Sequence, residues 1–216
     1  MLEVVVSLKF YLPVGEKVLV ETVRLAGFEE KVRPLEASLN TPFGKVRIGA
    51  PIIQIAQCES ASIEYHGERN MLILRGKRDS VIGCIEKLVE SLEKLGYNLD
   101  DAIDYIEIFV PPQPLRFKNF IESLRQNIRL VNPIELEGEV LNVWSVSLSN
   151  ATNPIGKNFY NWFFVQLNPD IYAKDVANIH LIKRTKRVSD CIEFLAKLDA
   201  LIRGIITNLG GGGDEE

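Results

Sequence analysis

The side chains best suited to binding a planar ligand lie in the segment KNFYNWFFVQLNP, Lys157–Pro169. In a β-strand, alternate residues share a face. One face of this segment therefore carries Tyr160, Trp162, Phe164 and Gln166. The other face is also apolar, with Phe163, Val165 and Leu167 beside Asn161. Exposed rings on a sheet stack on nucleic-acid bases, at about 1 to 3 kcal/mol per base. Rings on both faces are also typical of a protein interface, or of a strand that is buried on both sides.

Basic side chains that contact phosphate would complete a site of this kind. The clearest cluster is the run KRTKR, which contributes Lys183, Arg184, Lys186 and Arg187. Lys157 stands at the entrance of the aromatic segment. Binding through such contacts weakens as salt rises, because each contact releases counterions from the nucleic acid. The same run is also typical of a solvated helix entrance.

The charge of the chain limits this interpretation. The 216 residues carry a formal charge of −4, which argues against a protein that contacts nucleic acid over its whole surface. Residues 1–110 hold 13 Lys and Arg against 17 Asp and Glu, whereas residues 111–213 hold 12 against 9. The second half is therefore mildly basic, and the remaining acids form the tail Asp214–Glu216.

Residue types that carry catalysis are sparse. His66 is expected in a solvated turn and His180 in a strand, and neither has the spacing of a metal ligand. The acids Asp100, Asp101 and Asp104 follow a helix end and are expected to form a solvated linker. The sequence contains no phosphate-binding loop, nucleophile elbow, zinc-protease or dinucleotide motif. We predict that the protein is not an enzyme and uses no cofactor or metal.

The remaining composition indicates an ordinary folded protein without a membrane partner. Cys58, Cys84 and Cys191 are too few for a disulfide framework and lack CxxC spacing, so we expect buried free thiols. No apolar run reaches the roughly 18 residues of a membrane span, and the first residues lack a signal-peptide pattern. The expected compartment is the cytoplasm. Gly210–Gly213, followed by acids, predicts a flexible tail.

Two short similarities recur in the same order along the chain. CIEKLVESL, which begins at Cys84, matches CIEFLAKLD, which begins at Cys191. Upstream, LVETVR from Leu19 matches FIESLR from Phe120, and each follows an apolar strand that ends in proline. Ordered similarities of this kind favour an internal duplication.

The hydrophobic periodicity predicts the same order of elements in both halves. The first half is expected to contain a strand at Val4–Tyr11, a helix at Gly15–Ala26, a hairpin turning at Thr41–Gly44, further strands, and a helix at Ser80–Leu95. The second is expected to contain a strand at Tyr105–Val110, a helix at Leu115–Ile128, the strands VLNVWSVSLS, FYNWFFVQL and ANIHLIK, and a helix at Val188–Ile206. Serines alternate with apolar residues in VLNVWSVSLS. If this strand lies beside the aromatic one, Trp144, Val146 and Leu148 should face the helices. Ser145, Ser147 and Ser149 would then join the rings on the open face.

The duplicated order, and the strand, basic turn and long helix of LILRGKRDSVIGCIEKLVESLEKLG, resemble one repeat of the TATA-box-binding protein fold, a saddle of two tandem units. Gly76-Lys77 resembles the turn before that family's final helix, and the second copy has Lys183-Arg184 without a glycine. The resemblance does not extend to TATA recognition, because the phenylalanine pairs that such proteins wedge into DNA have no assignable counterparts. Other duplicated ferredoxin-like proteins share this order of elements.

The predicted fold is α+β, with two tandem β-α-β(n)-α units that form antiparallel sheet and pack helices on one face. Residues 1–99 form the first repeat, 100–209 the second, and 210–216 the flexible tail. We predict a non-catalytic module that binds nucleic acid, in transcription or maintenance, through the open aromatic face. The alternative is an interaction subunit that docks a protein partner, or a second copy of itself, through that face.

Overall fold

The computed structural model describes residues 2–41, 44–117, 119–128, 134–136, 139–141, 144–150, 156–173 and 175–209. The predicted turn residues Pro42 and Phe43 and the tail 210–216 lie outside these ranges. In chain order the strands are β1 (Glu3–Phe10), β2 (Glu29–Thr41), β3 (Gly44–Cys58), β4 (Ala61–His66), β5 (Met71–Lys77), β6 (Ile103–Arg116), β7 (Ile134–Leu136), β8 (Glu139–Leu141), β9 (Val146–Ser149), β10 (Phe163–Pro169) and β11 (Val176–Thr185). The helices are α1 (Glu16–Leu25), α2 (Arg78–Lys94), α3 (Leu99–Ala102), α4 (Phe120–Asn127) and α5 (Val188–Asn208).

Within the described residues, nine of the strands form one antiparallel sheet in the order β2-β3-β4-β5-β1-β6-β11-β10-β9. The strands β7 and β8 pair only with each other. The fold class is therefore α+β, as predicted. The centre of the sheet is the pair β1 and β6, which joins the first and second halves of the chain through Val5 opposite Phe109 and Lys9 opposite Tyr105.

The core lies on one face of this sheet. In β1, Val4, Val6, Leu8 and Phe10 alternate into it, as period-two patterning requires. Apolar stripes on the two long helices cover these strands: Val81, Ile85, Leu88 and Leu92 on α2, and Val188, Leu195, Leu198 and Ile202 on α5. These buried positions agree with the predicted helical stripes. Arg78 of α2 forms an ion pair with Asp199 of α5, which ties the two helices together.

A side chain extends the central ladder where prolines interrupt it. Pro111 and Pro112 of β6 lack the N–H group that a hydrogen bond to a neighbouring strand needs. The amide of Gln113 takes their place, because its Oε1 accepts from the Glu3 N–H at 3.1 Å and its Nε2 donates to the Glu3 carbonyl at 2.7 Å. The two halves therefore stay joined to the start of β1.

Two predicted elements of the second half have different bounds. The helix predicted at Leu115–Ile128 begins only at Phe120, because β6 continues to Arg116 in pairing with β11. Asn119, immediately before the helix, has a φ of 54°, which a continuing helix does not allow. The strand predicted over VLNVWSVSLS was also wrong, since β8 ends at Leu141 and β9 begins at Val146.

The cysteine prediction was wrong for two of the three residues. Cys58, the last residue of β3, forms a disulfide with Cys84 on the inner stripe of α2, with their Cα atoms 6.1 Å apart. Cys191 is a buried free thiol, as predicted. Burial raises the pKa of the Cys191 thiol to about 12, so this sulfur stays protonated in the folded protein at neutral pH.

The acids predicted as a solvated linker take part in specific contacts. Residues 99–102 form the short helix α3, whose start is capped by Asn98. The Asp100 carboxylate accepts from the Val188 N–H at 3.0 Å and so satisfies a free donor at the start of α5. Asp104 accepts a hydrogen bond from the Tyr160 hydroxyl at 3.0 Å.

Candidate functional site

The sheet face opposite the core carries two groups of rings that the Arg184 guanidinium bridges, and we call them together the aromatic face. Its members are Tyr105, Phe109, Phe159, Trp162, Phe164 and His180. Each ring contacts at least one other member: Phe159 meets Tyr105 edge-on at 5.2 Å between ring centroids, Trp162 lies 6.0 Å from Phe164, and His180 lies 5.2 Å from Phe109 and 5.9 Å from Phe164. Edge-on and tilted contacts of this length are favourable for aromatic pairs. All six rings are partly exposed, so their free surface faces solvent.

Register explains how these rings come together from separate strands. Ile182 of β11 is flanked by Phe109 of β6 and Phe164 of β10, directly opposite it on each side. Across the outer pair of strands, Ser149 lies opposite Phe164 and Ser147 opposite Gln166. Two of the three predicted serines therefore border the rings, whereas Ser145 precedes β9. The Trp162 indole N–H donates to Ser149 Oγ at 3.1 Å.

Arg184 is the organising side chain of the aromatic face. Its guanidinium carbon lies 4.7 Å from the Phe159 ring centroid, 5.2 Å from Trp162 and 5.4 Å from Tyr105. Its Nε donates to Glu107 Oε2 at 2.7 Å, and both side chains are largely buried. Arg184 stabilises the ring cluster, because its guanidinium contacts three rings. The Glu107 carboxylate neutralises its positive charge.

The other members of the KRTKR run point in different directions. Lys183 lies on the core side of β11, opposite Phe163, and its ammonium donates to the Asn161 side chain. Burial lowers the pKa of Lys183. Arg187 is exposed immediately before α5. The sequence grouped these residues, and the alternation of the strand separates them.

Tyr160 does not lie in the row of Trp162 and Phe164, which corrects the predicted strand. Residues Gly156–Asn161 form a 3₁₀ helix, and β10 begins only at Phe163. The cause is Asn150, whose side chain donates to the Asn161 carbonyl at 2.7 Å and accepts from the Phe163 N–H at 2.8 Å. Lys157 lies in the same 3₁₀ helix, and its side chain is outside the described part of the structure.

A group of basic residues, which we call the basic rim, borders one end of the aromatic face: Lys9, Arg69 and Lys186. Lys186 donates to the Ile103 and Asp104 carbonyls at 2.9 and 3.1 Å, and its ammonium lies 5.3 Å from the Tyr160 ring centroid. Lys9 is directly opposite Tyr105 and donates to the Arg69 carbonyl. Among the described residues, none of the three forms an ion pair with a carboxylate, so their charges are not neutralised.

The structure contradicts the prediction for His66 and places His180 in the predicted strand. His66 was predicted in a solvated turn, but it is the last residue of β4 and is buried. His180 lies in β11 as predicted, and its Nε2 is buried without a hydrogen-bond partner in the described structure. Burial lowers the pKa of His180, which favours the neutral imidazole between Phe109 and Phe164.

Several members of the face were not singled out from sequence, although a signal was present. Tyr105, Glu107 and Phe109 alternate with the buried Ile106 and Ile108, so the segment YIEIF carried its own two-residue pattern. Trp144, expected beneath the helices, is instead outside any strand and 52% exposed. Val146, Val165 and Leu167 do lie in the core as predicted. Leu148, predicted beneath the helices with them, lies opposite Val165 but is 42% exposed, so that prediction was wrong.

Comparison of the chain with models of known protein families and with curated proteins finds no match. Over the described residues, no group of three or more histidine, cysteine or acidic side chains is arranged to hold a metal ion. No described helix combines the length and apolar character needed to cross a bilayer.

Proposed function

We propose that this protein is a non-catalytic module that binds single-stranded nucleic acid on its aromatic face. The observation that supports the proposal is the set of partly exposed rings that β6, β11, β10 and the segment before β10 place on one sheet face. Every base has a flat π surface, so successive bases stack on such rings with little dependence on sequence. Ser147 and Gln166 border the rings and offer hydrogen bonds to base edges, whereas the Ser149 hydroxyl already donates to the Phe163 carbonyl and accepts from the Trp162 indole.

Phosphate contacts in this proposal come from the basic rim. Lys9, Arg69 and Lys186 carry charges that no described carboxylate neutralises. The Lys186 ammonium already donates its three hydrogens to the Tyr11 hydroxyl and to the Ile103 and Asp104 carbonyls. Lys186 therefore contributes its charge, and the direct phosphate contacts come from Lys9 and Arg69. Arg187, exposed beside Lys186, extends the same edge. Arg184 has a different role. Its charge is paired with Glu107, and its guanidinium holds Phe159 and Trp162 in position. A small number of phosphate contacts is compatible with the negative total charge of the chain.

We further propose that the two halves are tandem units of a saddle resembling the TATA-box-binding protein fold. In the sheet, β1 is followed outward by β5, β4 and β3, while β6 is followed outward by β11, β10 and β9. The first strand of each half therefore lies at the centre of the sheet. In both halves the last strand of the half lies next to it, and earlier strands lie progressively closer to the edge. This symmetry supports duplication and leaves one sheet face of both units available to a ligand.

The test is a fluorescence titration of the full chain with single-stranded DNA, single-stranded RNA and duplex DNA at two salt concentrations. Trp144→Phe leaves Trp162 as the only tryptophan, and so provides a reporter on the aromatic face. We expect quenching by single strands that weakens with salt. Replacing Phe164 by leucine in this background should weaken binding about 5- to 150-fold, as expected for one lost stacked base.

The matched control is Tyr172→Leu, which removes an aromatic ring that is 91% exposed in the connection between β10 and β11. This change should leave the affinity unaltered. Absence of quenching by any single strand at low salt would refute the nucleic-acid proposal.

A protein partner is the second candidate function, and a separate observation favours it. Two basic side chains of the sheet face are paired with acids, Arg184 with Glu107 and Arg75 with Glu64 at 3.7 Å, which lowers the positive potential around them. In the edge strand β9, Leu148 lies opposite Val165 on the core side of the sheet and is 42% exposed. Exposed aromatic and apolar groups around neutral ion pairs are typical of interface centres. A mass that rises with protein concentration, and falls in Leu148→Asp, would indicate self-association through this edge.

The proposed compartment is the cytoplasm, where disulfides are uncommon. The Cys58–Cys84 bond is compatible with a reducing environment, because both residues are buried and the thiolates of cellular reductants cannot easily reach their sulfurs. Thiol titration of protein purified without reductant provides the check. We expect no reactive thiol in the folded chain, Cys191 alone after unfolding, and all three after reduction.

A further inference from the structure

An apolar cavity of about 320 Å³ lies between α1, α2 and the end of β1, away from the aromatic face. Its floor is formed by buried residues of the sheet and of α2: Phe10, Leu72, Leu88 and Leu92. Leu19 and Val23 of α1 form one wall, and the connection from β1 to α1 forms the mouth. A second apolar cavity of about 230 Å³ lies on the other side of α1 and shares these two wall residues. The helix α1 therefore has open space on both sides.

We propose that the larger cavity binds a small, uncharged apolar molecule of about the size of two fused rings. An engineered apolar cavity of about 150 Å³ binds benzene, and this one has roughly twice that volume. Ligand pockets of this size are mostly apolar and carry few polar groups. This inference concerns residues that the aromatic face does not use, so it is independent of the proposed function.

The polar groups of the lining decide the charge of the ligand. Thr22 is the one buried hydroxyl, and it already donates to the Val18 carbonyl at 2.7 Å. Among the described lining residues, Asp101 is the only charged side chain, and it lies exposed at the mouth. A carboxylate there repels anions. The Lys186 ammonium lies 4.5 Å from the ring centroid of Tyr11 at the mouth, but its three hydrogens are already donated to the Tyr11 hydroxyl and to the Ile103 and Asp104 carbonyls. An uncharged molecule is therefore favoured over a fatty acid.

The mouth has the exposed apolar surface that a ligand would cover. Tyr11, Leu12 and Tyr97 surround it and are 54, 76 and 45% exposed. Large apolar groups gathered at one opening are uncommon on a monomeric surface and mark binding regions. A bound ring would remove part of each side chain from water, at about 25 cal/mol per Å² of apolar surface.

The test uses the full chain and the uncharged fluorescent probe N-phenyl-1-naphthylamine. We expect a saturable increase in fluorescence at one site per chain, insensitive to salt. The anionic probe anilinonaphthalene sulfonate should bind at least about tenfold more weakly, a difference of about 1.4 kcal/mol. Ala102→Phe, which adds a ring inside the cavity, should weaken binding of the uncharged probe by about tenfold or more.

The matched control is Ala173→Phe, which adds the same ring to a half-buried alanine in the connection between β10 and β11. It should bind the probe as the unchanged chain does. If Ala102→Phe fails to fold, Val14→Trp fills the mouth instead and should show the same loss. Equal probe affinity in a folded filled variant would overturn the proposal. The proposal would also be overturned if the unchanged chain bound no probe, or if a second copy of the chain covered the cavity in solution.

Discussion

The side chain of Arg184 should stabilise the fold well beyond the usual effect of a surface ion pair. Its hydrogen bond to the Glu107 carboxylate, at 2.7 Å, joins side chains that are 20 and 29% exposed, and such bonds contribute about 1.5 to 3 kcal/mol. Three rings lie within 5.4 Å of the guanidinium carbon, at about 0.5 to 1 kcal/mol each. Since the contacts share one group and do not simply add, we expect Arg184→Ala to lower the free energy of unfolding by about 3 kcal/mol.

Urea unfolding, followed by tryptophan fluorescence and by circular dichroism, measures this loss. At a slope of about 2 kcal/mol per molar, the midpoint should fall by about 1.5 M. A double-mutant cycle with Glu107→Ala should give a coupling of about 1 to 2 kcal/mol. The control Lys197→Ala removes a pair with Glu193 whose side chains are 70 and 63% exposed, and it should cost less than about 0.5 kcal/mol. If Arg184→Ala costs no more than this control, or shows no coupling to Glu107, the described ring cluster does not form.

Four further outcomes follow from the surroundings of named residues. Replacing Cys58 and Cys84 together by alanine removes a disulfide that closes a 26-residue separation. It should lower the unfolding free energy by about 3.5 kcal/mol on the chain-entropy account, whereas an equal stability with the bond absent would show that it does not constrain the unfolded chain. Burial lowers the pKa of His180 in the fold, so the unfolded chain binds the proton first, and stability should fall as pH drops below about 6.5. His180→Phe should remove that component, and unchanged pH dependence between the two proteins would contradict the assignment. A Cβ on Gly76 would lie 2.8 Å from backbone atoms of the β3–β4 turn, so Gly76→Ala should destabilise the sheet by thermal unfolding. Gly83→Ala has free space around it in α2 and should instead stabilise the chain by up to about 1 kcal/mol.

The local pattern of the sequence was sufficient for most elements of the fold. Amphipathic stripes placed α2 and α5 within two residues of their observed bounds, because an apolar face of period 3.6 is written in consecutive residues. Alternation also assigned Trp162 and Phe164 to the face opposite Val165. Hydrophobic periodicity also predicted the α+β class, with helices and antiparallel strands.

Tertiary contacts decided the features that local pattern does not contain. Asn150 ends the pairing at Phe163 and so moves Tyr160 out of the aromatic row. The disulfide, and the pairing of Arg184 with Glu107 across 77 positions of the chain, depend on which strands become neighbours. Periodicity specifies which face a side chain takes, since that is set by its own backbone. It does not specify the partner that the side chain meets there, because the partner is brought by the packing of distant segments.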